Sequence, residues 1–128
     1  MEYGIQKTTD MPFEKVDEIL RNALIYVGFG IITEIDLQKT FREKLQIKYE
    51  RFQILGACNP QLANQALGIE REVAMFLPCN VVFWENDDLS VTISAIDAQK
   101  QLSFTNNRRL LEIGKEVNRL LSKAIEMI

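Results

Sequence analysis

Apolar positions along the chain fall into two spacings, and each change of spacing marks an element. Phe13, Val16, Leu20, Ala23, Leu24 and Val27 recur at helical intervals, with Glu14, Lys15, Asp17, Glu18 and Arg21 on the opposite side. Before them, Asp10 and Pro12 read as a capping side chain and a first-turn proline, and Gly28 follows as the residue that closes the helix. Ahead of this helix, residues 3–8 read as a short edge strand. Behind it, Phe29 to Ile35 is apolar and β-branched, as a strand requires, and Asp36 caps a second helix carrying Leu37, Phe41 and Leu45.

Phe52 to Ala57 predicts a third strand, ending at Cys58. Asn59 stands where an N-cap belongs and Pro60 where a first helical residue belongs. Leu62, Ala63, Ala66 and Leu67 then share one helix face, and Gly68 is expected to close it. Val73 to Leu77 and Val81 to Trp84 are apolar runs separated by Pro78-Cys79-Asn80. Because proline gives no donor to a ladder, that break reads as a bulge or a change of strand partner. Asn86-Asp87-Asp88 reads as a hairpin turn. Leu89, Val91, Ile93 and Ala95 then alternate with Ser90, Thr92 and Ser94, the pattern of a sheet with one polar face.

From about Asn107 to Ile128, the residues Leu110, Ile113, Val117, Leu120, Leu121, Ala124 and Ile128 form the stripe of a long final helix, wide enough to cover a sheet face. The order βαβαβαββα joins its strands too irregularly for a regular parallel sheet, so the fold class is α+β. With 128 residues and no linker or repeat, a single domain over 1–128 is expected.

Charge and composition remove whole classes of function. The net charge is −3, and the densest basic stretches, Arg42-Glu43-Lys44 and Arg108-Arg109, are broken by acids or flanked by apolar residues. A nucleic acid partner needs clustered positive charge, so none is expected. No apolar run approaches the ~18 residues that span a bilayer, and no membrane association is expected. Met1-Glu2-Tyr3-Gly4 is neither basic nor continuously apolar, so no export signal is read there. With only two cysteines, the expected location is the reducing cytoplasm, with both thiols free. Histidine is absent, which removes Ser-His-Asp and Cys-His catalysis and imidazole ligation, so the reading leans away from an enzyme and expects no cofactor. Two cysteines without Cys-x-x-Cys spacing supply only half of a tetrahedral zinc shell, and no metal site is expected.

The segments Val27-Gly28-Phe29-Gly30, Ile54-Leu55-Gly56-Ala57-Cys58-Asn59-Pro60, Ala63 with Ala66-Leu67, and Leu77-Pro78-Cys79-Asn80-Val81 resemble the family catalogued as domain of unknown function 302. The resemblance runs over nearly the whole chain. It implies a curved, mostly antiparallel sheet with helices packed on it, similar to the TATA-binding-protein-like arrangement, and a homodimer. It brings no agreed catalytic residue.

One cluster carries candidate chemistry: Cys58, Asn59, Cys79 and Asn80. Cys58-Asn59-Pro60 ends a strand and opens a helix, where unpaired N–H groups and the positive end of the helix dipole gather. Such a junction favours the thiolate form of a nearby cysteine and can hold a small anion. Cys58 is therefore the candidate reactive or ligand-contacting thiol, with Asn59 holding the helix start and Cys79 as partner thiol. The expected ligand is small and either anionic or thiol-reactive. The same residues also suit purely structural roles, asparagine as cap and cysteine as apolar filler. The rival is an interaction or assembly protein without a ligand site, and a third reading is thiol redox or sulfur transfer.

Overall fold

The computed structural model describes residues 3–128; Met1 and Glu2, which open the segment read for an export signal, lie outside the described residues. One five-stranded sheet organises the chain. Its strands are β1 (Gly4–Thr9), β2 (Gly30–Asp36), β3 (Phe52–Cys58), β4 (Cys79–Glu85) and β5 (Val91–Ile96), in the spatial order β1-β5-β4-β3-β2. Every neighbouring pair is antiparallel. The helices are α1 (Phe13–Tyr26), α2 (Leu37–Leu45), α3 (Pro60–Ile69), α4 (Ala98–Leu102) and α5 (Arg108–Glu126). The α+β class and the expected element order are those observed, with α4 as an additional short helix. Among the described residues no helix is long and apolar enough to cross a membrane.

The helices α1 and α5 cover one face of the sheet. Leu55, Val81, Phe83, Ile93 and Ala95 from the strands meet Val16, Leu20 and Leu24 of α1 and Leu121 and Ala124 of α5, all buried. The rings of Phe13 and Phe83 pack with centroids 4.8 Å apart. Each such large side chain contributes about 1.5–3 kcal/mol by leaving water, so this layer holds the domain together. The turn after α1 is a Schellman motif. Gly28 adopts φ +96°, Phe29 N–H donates to Leu24 O at 2.8 Å, and Gly28 N–H donates to Ile25 O at 3.0 Å.

Several elements depart from the sequence reading. Asp10 does not cap α1: the N-cap is Pro12, without a side-chain cap bond, and its carbonyl accepts from Lys15 and Val16. Gly68 does not close α3, which continues to Ile69 and ends where Glu70 turns extended. Val73–Leu77 is no strand: residues Arg71–Phe76 form a 3-10 helix, because Val73 buries itself against Ala66, Leu102 and Leu110 in a second small core. Short apolar runs do not distinguish strand from helix by periodicity. Pro78 interrupts no ladder. It precedes β4, and Cys79 already pairs with Ala57, so the missing proline donor falls outside the sheet. Leu89 belongs to the hairpin turn, with φ +71°, rather than to β5.

The opposite face of the sheet is largely uncovered by helices. Its positions, fixed by the cross-strand register, include Gln6, Thr8, Ser94, Ile96, Asn80, Val82, Trp84, Phe52, Ile54, Thr33 and Ile35, and none of these is charged. Trp84, the end of the apolar run Val81 to Trp84, lies half-buried on this outer face and stacks on Phe52 at 5.3 Å. The row continues through Tyr49, 6.3 Å from Phe52, to Phe41 of α2, 4.8 Å from Tyr49. Ser90 and Thr92, on the polar side of the alternation, are buried. Asn86 explains this: its Nδ2 donates to both hydroxyls, while Trp84 Nε1 donates to its Oδ1.

Candidate functional site

Strand β3 carries Ala57 into the core and then stops at Cys58, because Asn59 and Pro60 start α3. The Asn59 side chain accepts from Leu62 N at 3.1 Å and its carbonyl accepts from Ala63 N at 2.9 Å, closing the first turn. A cap of this kind contributes about 1 kcal/mol. Asn59 also faces the turn after α1: a Cβ on Gly28 would stand 3.2 Å from its Nδ2. The glycine thus serves both the left-handed backbone there and the seating of the asparagine carboxamide.

At this corner a hollow of about 40 Å³ opens between the end of β3, α3, the 3-10 helix, α4 and α5. Cys58, Asn59 and Cys79 line it together with Phe29, Leu62, Ala66, Phe76, Leu102 and Ile113, and the only other polar side chain in its wall is Gln101. Asn80 does not join them. Side chains alternate along β4, so Cys79 faces the helices while Asn80 faces the outer side beside Val82 and Trp84. Three of the four candidate residues therefore converge, and the fourth belongs to the other face.

The far wall comes from α4, whose position depends on two close fits to α5. Asp97 Oδ1 accepts from Lys100 N and from Asn118 Nδ2, and Asn118 Oδ1 accepts from Ala98 N at 2.8 Å. A Cβ on Gly114 would stand 2.8 Å from Gln99 Cα, so only glycine lets α4 lie so close on α5. The wall residues Val73, Phe76, Ala98 and Leu102 escaped the sequence reading. Their one available signal was Asp97 three residues ahead of Lys100, a helix start like the one at Asn59.

The two thiols differ in access and chemistry. Cys79 is 8% exposed, and burial pushes its thiol up to about 11, with the neighbouring Cys58 adding to the push. Cys58 is half-buried at the rim, and the two sulfurs are unbonded. Folding therefore favours protonated Cys79. Its stabilising contribution is fully present below the unfolded cysteine value of about 8.5 and is lost as pH rises through about 11. Between those pH values native protein is expected to lose about 2–3 kcal/mol more stability than Cys79→Ala, read from urea midpoints at both ends of the window. Equal losses in the two proteins would show that Cys79 is ionised as easily as in the unfolded chain. Among the described residues no group of three or more Cys, Asp or Glu could hold a metal ion.

A family model described as Domain of unknown function DUF302 matches residues 5–128. The crystal structure of an uncharacterized conserved protein DUF302 from Bacillus stearothermophilus shares the fold with a TM-score of 0.92 at 22% identity, over 99% of this chain and 98% of that one. No curated protein matches the chain. With the family model covering the sheet, its helices and the hollow alike, the protein belongs to the family Domain of unknown function DUF302.

Proposed function

We propose that this protein is a binding module for a small, uncharged, thiol-reactive ligand, held in the hollow with Cys58 as the contacting thiol. One observation carries the reading: both cysteines of the chain meet Asn59 at one apolar hollow, although Cys58 and Cys79 lie on different strands. Among the described residues no charged side chain lines the hollow, which favours an uncharged ligand over the anion expected from the helix start. Its size sets a further limit. A cavity of about 150 Å³ takes up benzene, so one of about 40 Å³ admits a short aliphatic group but no ring. A free thiol as contact group also fits a reducing compartment, the cytoplasm.

Alkyl methanethiosulfonates test this, since they transfer a thioalkyl group of chosen size to a thiol. Methyl and ethyl reagents are expected to label Cys58 in the native protein, and the benzyl reagent at least about tenfold more slowly than it labels a free thiol. If both cysteines react slowly when native and fast only after unfolding, the hollow is sealed and the reading is wrong.

A second reading, self-association, is favoured by the uncharged outer face of the sheet. The chain carries a net charge of −3, so two copies repel weakly at long range and gain nothing from like-charged contact. The outer face presents Val82 and Ile54 centrally and exposed Ile35 at its margin, without charge. A second copy of this chain, related by a two-fold axis, covers such a surface with itself. The two readings are compatible, because the hollow and the outer face lie on opposite sides of the sheet.

A further inference from the structure

We propose that Cys58 and Cys79 form a redox latch on the hollow, which a hydroperoxide closes by converting the two thiols to a disulfide. This deepens the ligand-binding reading, and the closing role rests on it. Ala57 and Cys79 are direct cross-strand partners. With strands about 5 Å apart and a rise of about 3.3 Å per residue, the Cα atoms of Cys58 and Cys79 stand about 6 Å apart. Disulfides span about 4.4–6.8 Å between Cα atoms. Diagonal neighbours on regular strands point to opposite faces and never bond. Here β3 ends at Cys58 and the chain turns into α3, and Cys58 and Cys79 are both among the residues that line one hollow. Cys58 also adds to the upward shift that burial gives the Cys79 thiol.

The chemistry divides by access. Cys58, at the rim, meets the hydroperoxide first: its sulfur takes one oxygen, the O–O bond breaks, and the remainder leaves as an alcohol or as water. The sulfur of Cys79 then attacks that of the Cys58 sulfenic acid. The S–S bond forms as the S–O bond breaks, and the departing hydroxide leaves as water with the proton of Cys79. Two thiols lose two electrons and two protons, and the peroxide bond receives them. A reducing thiol reverses the reaction by exchange. The bridge crosses the hollow between its two sulfurs and removes the space a ligand group would occupy.

The test uses the whole chain, reduced, treated with hydrogen peroxide, unfolded, alkylated and weighed intact. The expected product has lost two hydrogens, resists alkylation at both cysteines, and recovers both thiols with dithiothreitol. The variant Cys79→Ala is expected to gain oxygen at Cys58 and never to lose hydrogens. Xenon, which binds dry apolar cavities, reads the closing step: its affinity for the oxidised protein is expected to fall at least about tenfold. Oxygen added to Cys58 while Cys79 stays alkylatable, or a disulfide formed only between chains, overturns the latch. Equal xenon affinity in both redox states overturns the closing role. Failure of xenon to bind the reduced protein overturns the ligand reading, a separate result from failure to form the bridge.

Discussion

Replacing Phe29 by alanine is expected to destabilise the protein by about 3–5 kcal/mol, read from the urea midpoint, and to enlarge the hollow. Phe29 is 2% exposed, belongs to the main core and also forms part of the wall of the hollow. Its removal deletes a full ring from the close-packed layer beneath α3, and the surrounding backbone is pinned. On one side Phe29 N–H closes α1, and on the other Gly30 pairs with Cys58. The site therefore collapses little, which places the loss at the upper end for large-to-small changes. The ring's space joins the existing hollow, so benzene, too large for the native hollow of about 40 Å³, is expected to bind the variant and raise its midpoint. A loss below about 1 kcal/mol would mean that Phe29 is not packed as described. A normal loss without benzene binding would mean that the new space does not connect to the hollow.

Placing a lysine at Val82 is expected to weaken self-association by at least about a hundredfold, roughly 3 kcal/mol, without unfolding the chain. Val82 sits on the outer face in the central strand, paired with Ile54 on one side and Ser94 on the other. In a two-fold assembly each copy brings the new charge into the same contact, so two ammonium groups are desolvated and opposed at once. In the single chain the lysine stem lies along the apolar face while its head reaches water, which keeps the fold intact. Sedimentation equilibrium reads the change, with Gln65→Lys, on the exposed side of α3, as the charge control. A chain that is monomeric before substitution, or one in which both variants dissociate equally, removes the outer face as the interface.

The helices and their punctuation were largely legible because local chemistry decides them. Phe13 to Val27 repeats at 3.6 residues and stops at a glycine that takes the left-handed backbone. Asp36 and Asn59, read as caps, each cap the helix that follows with a side-chain oxygen. The segment Val73–Leu77 was not legible, because β-branched and apolar residues suit both a buried strand and a short buried helix. Only the presence of Ala66, Leu102 and Leu110 around Val73 settles the choice. The place of Trp84 on the outer face was not legible for a similar reason: an apolar run does not state which side of a sheet its residues face.

At the candidate site the chain alone determined the strand-to-helix junction at Cys58-Asn59-Pro60, since capping and proline chemistry act within a few residues. Tertiary structure decided everything about convergence. Pairing Ala57 with Cys79 brings the two cysteines together, and the period-2 alternation of β4 sends Asn80 to the other face. The walls from α4 and α5 arrive from residues 98–117, some forty positions after Cys58, through a glycine contact and an asparagine bond. A residue carries its own propensity wherever it stands, but which residues share a hollow depends on register and helix docking, which exist only once the whole sheet has formed.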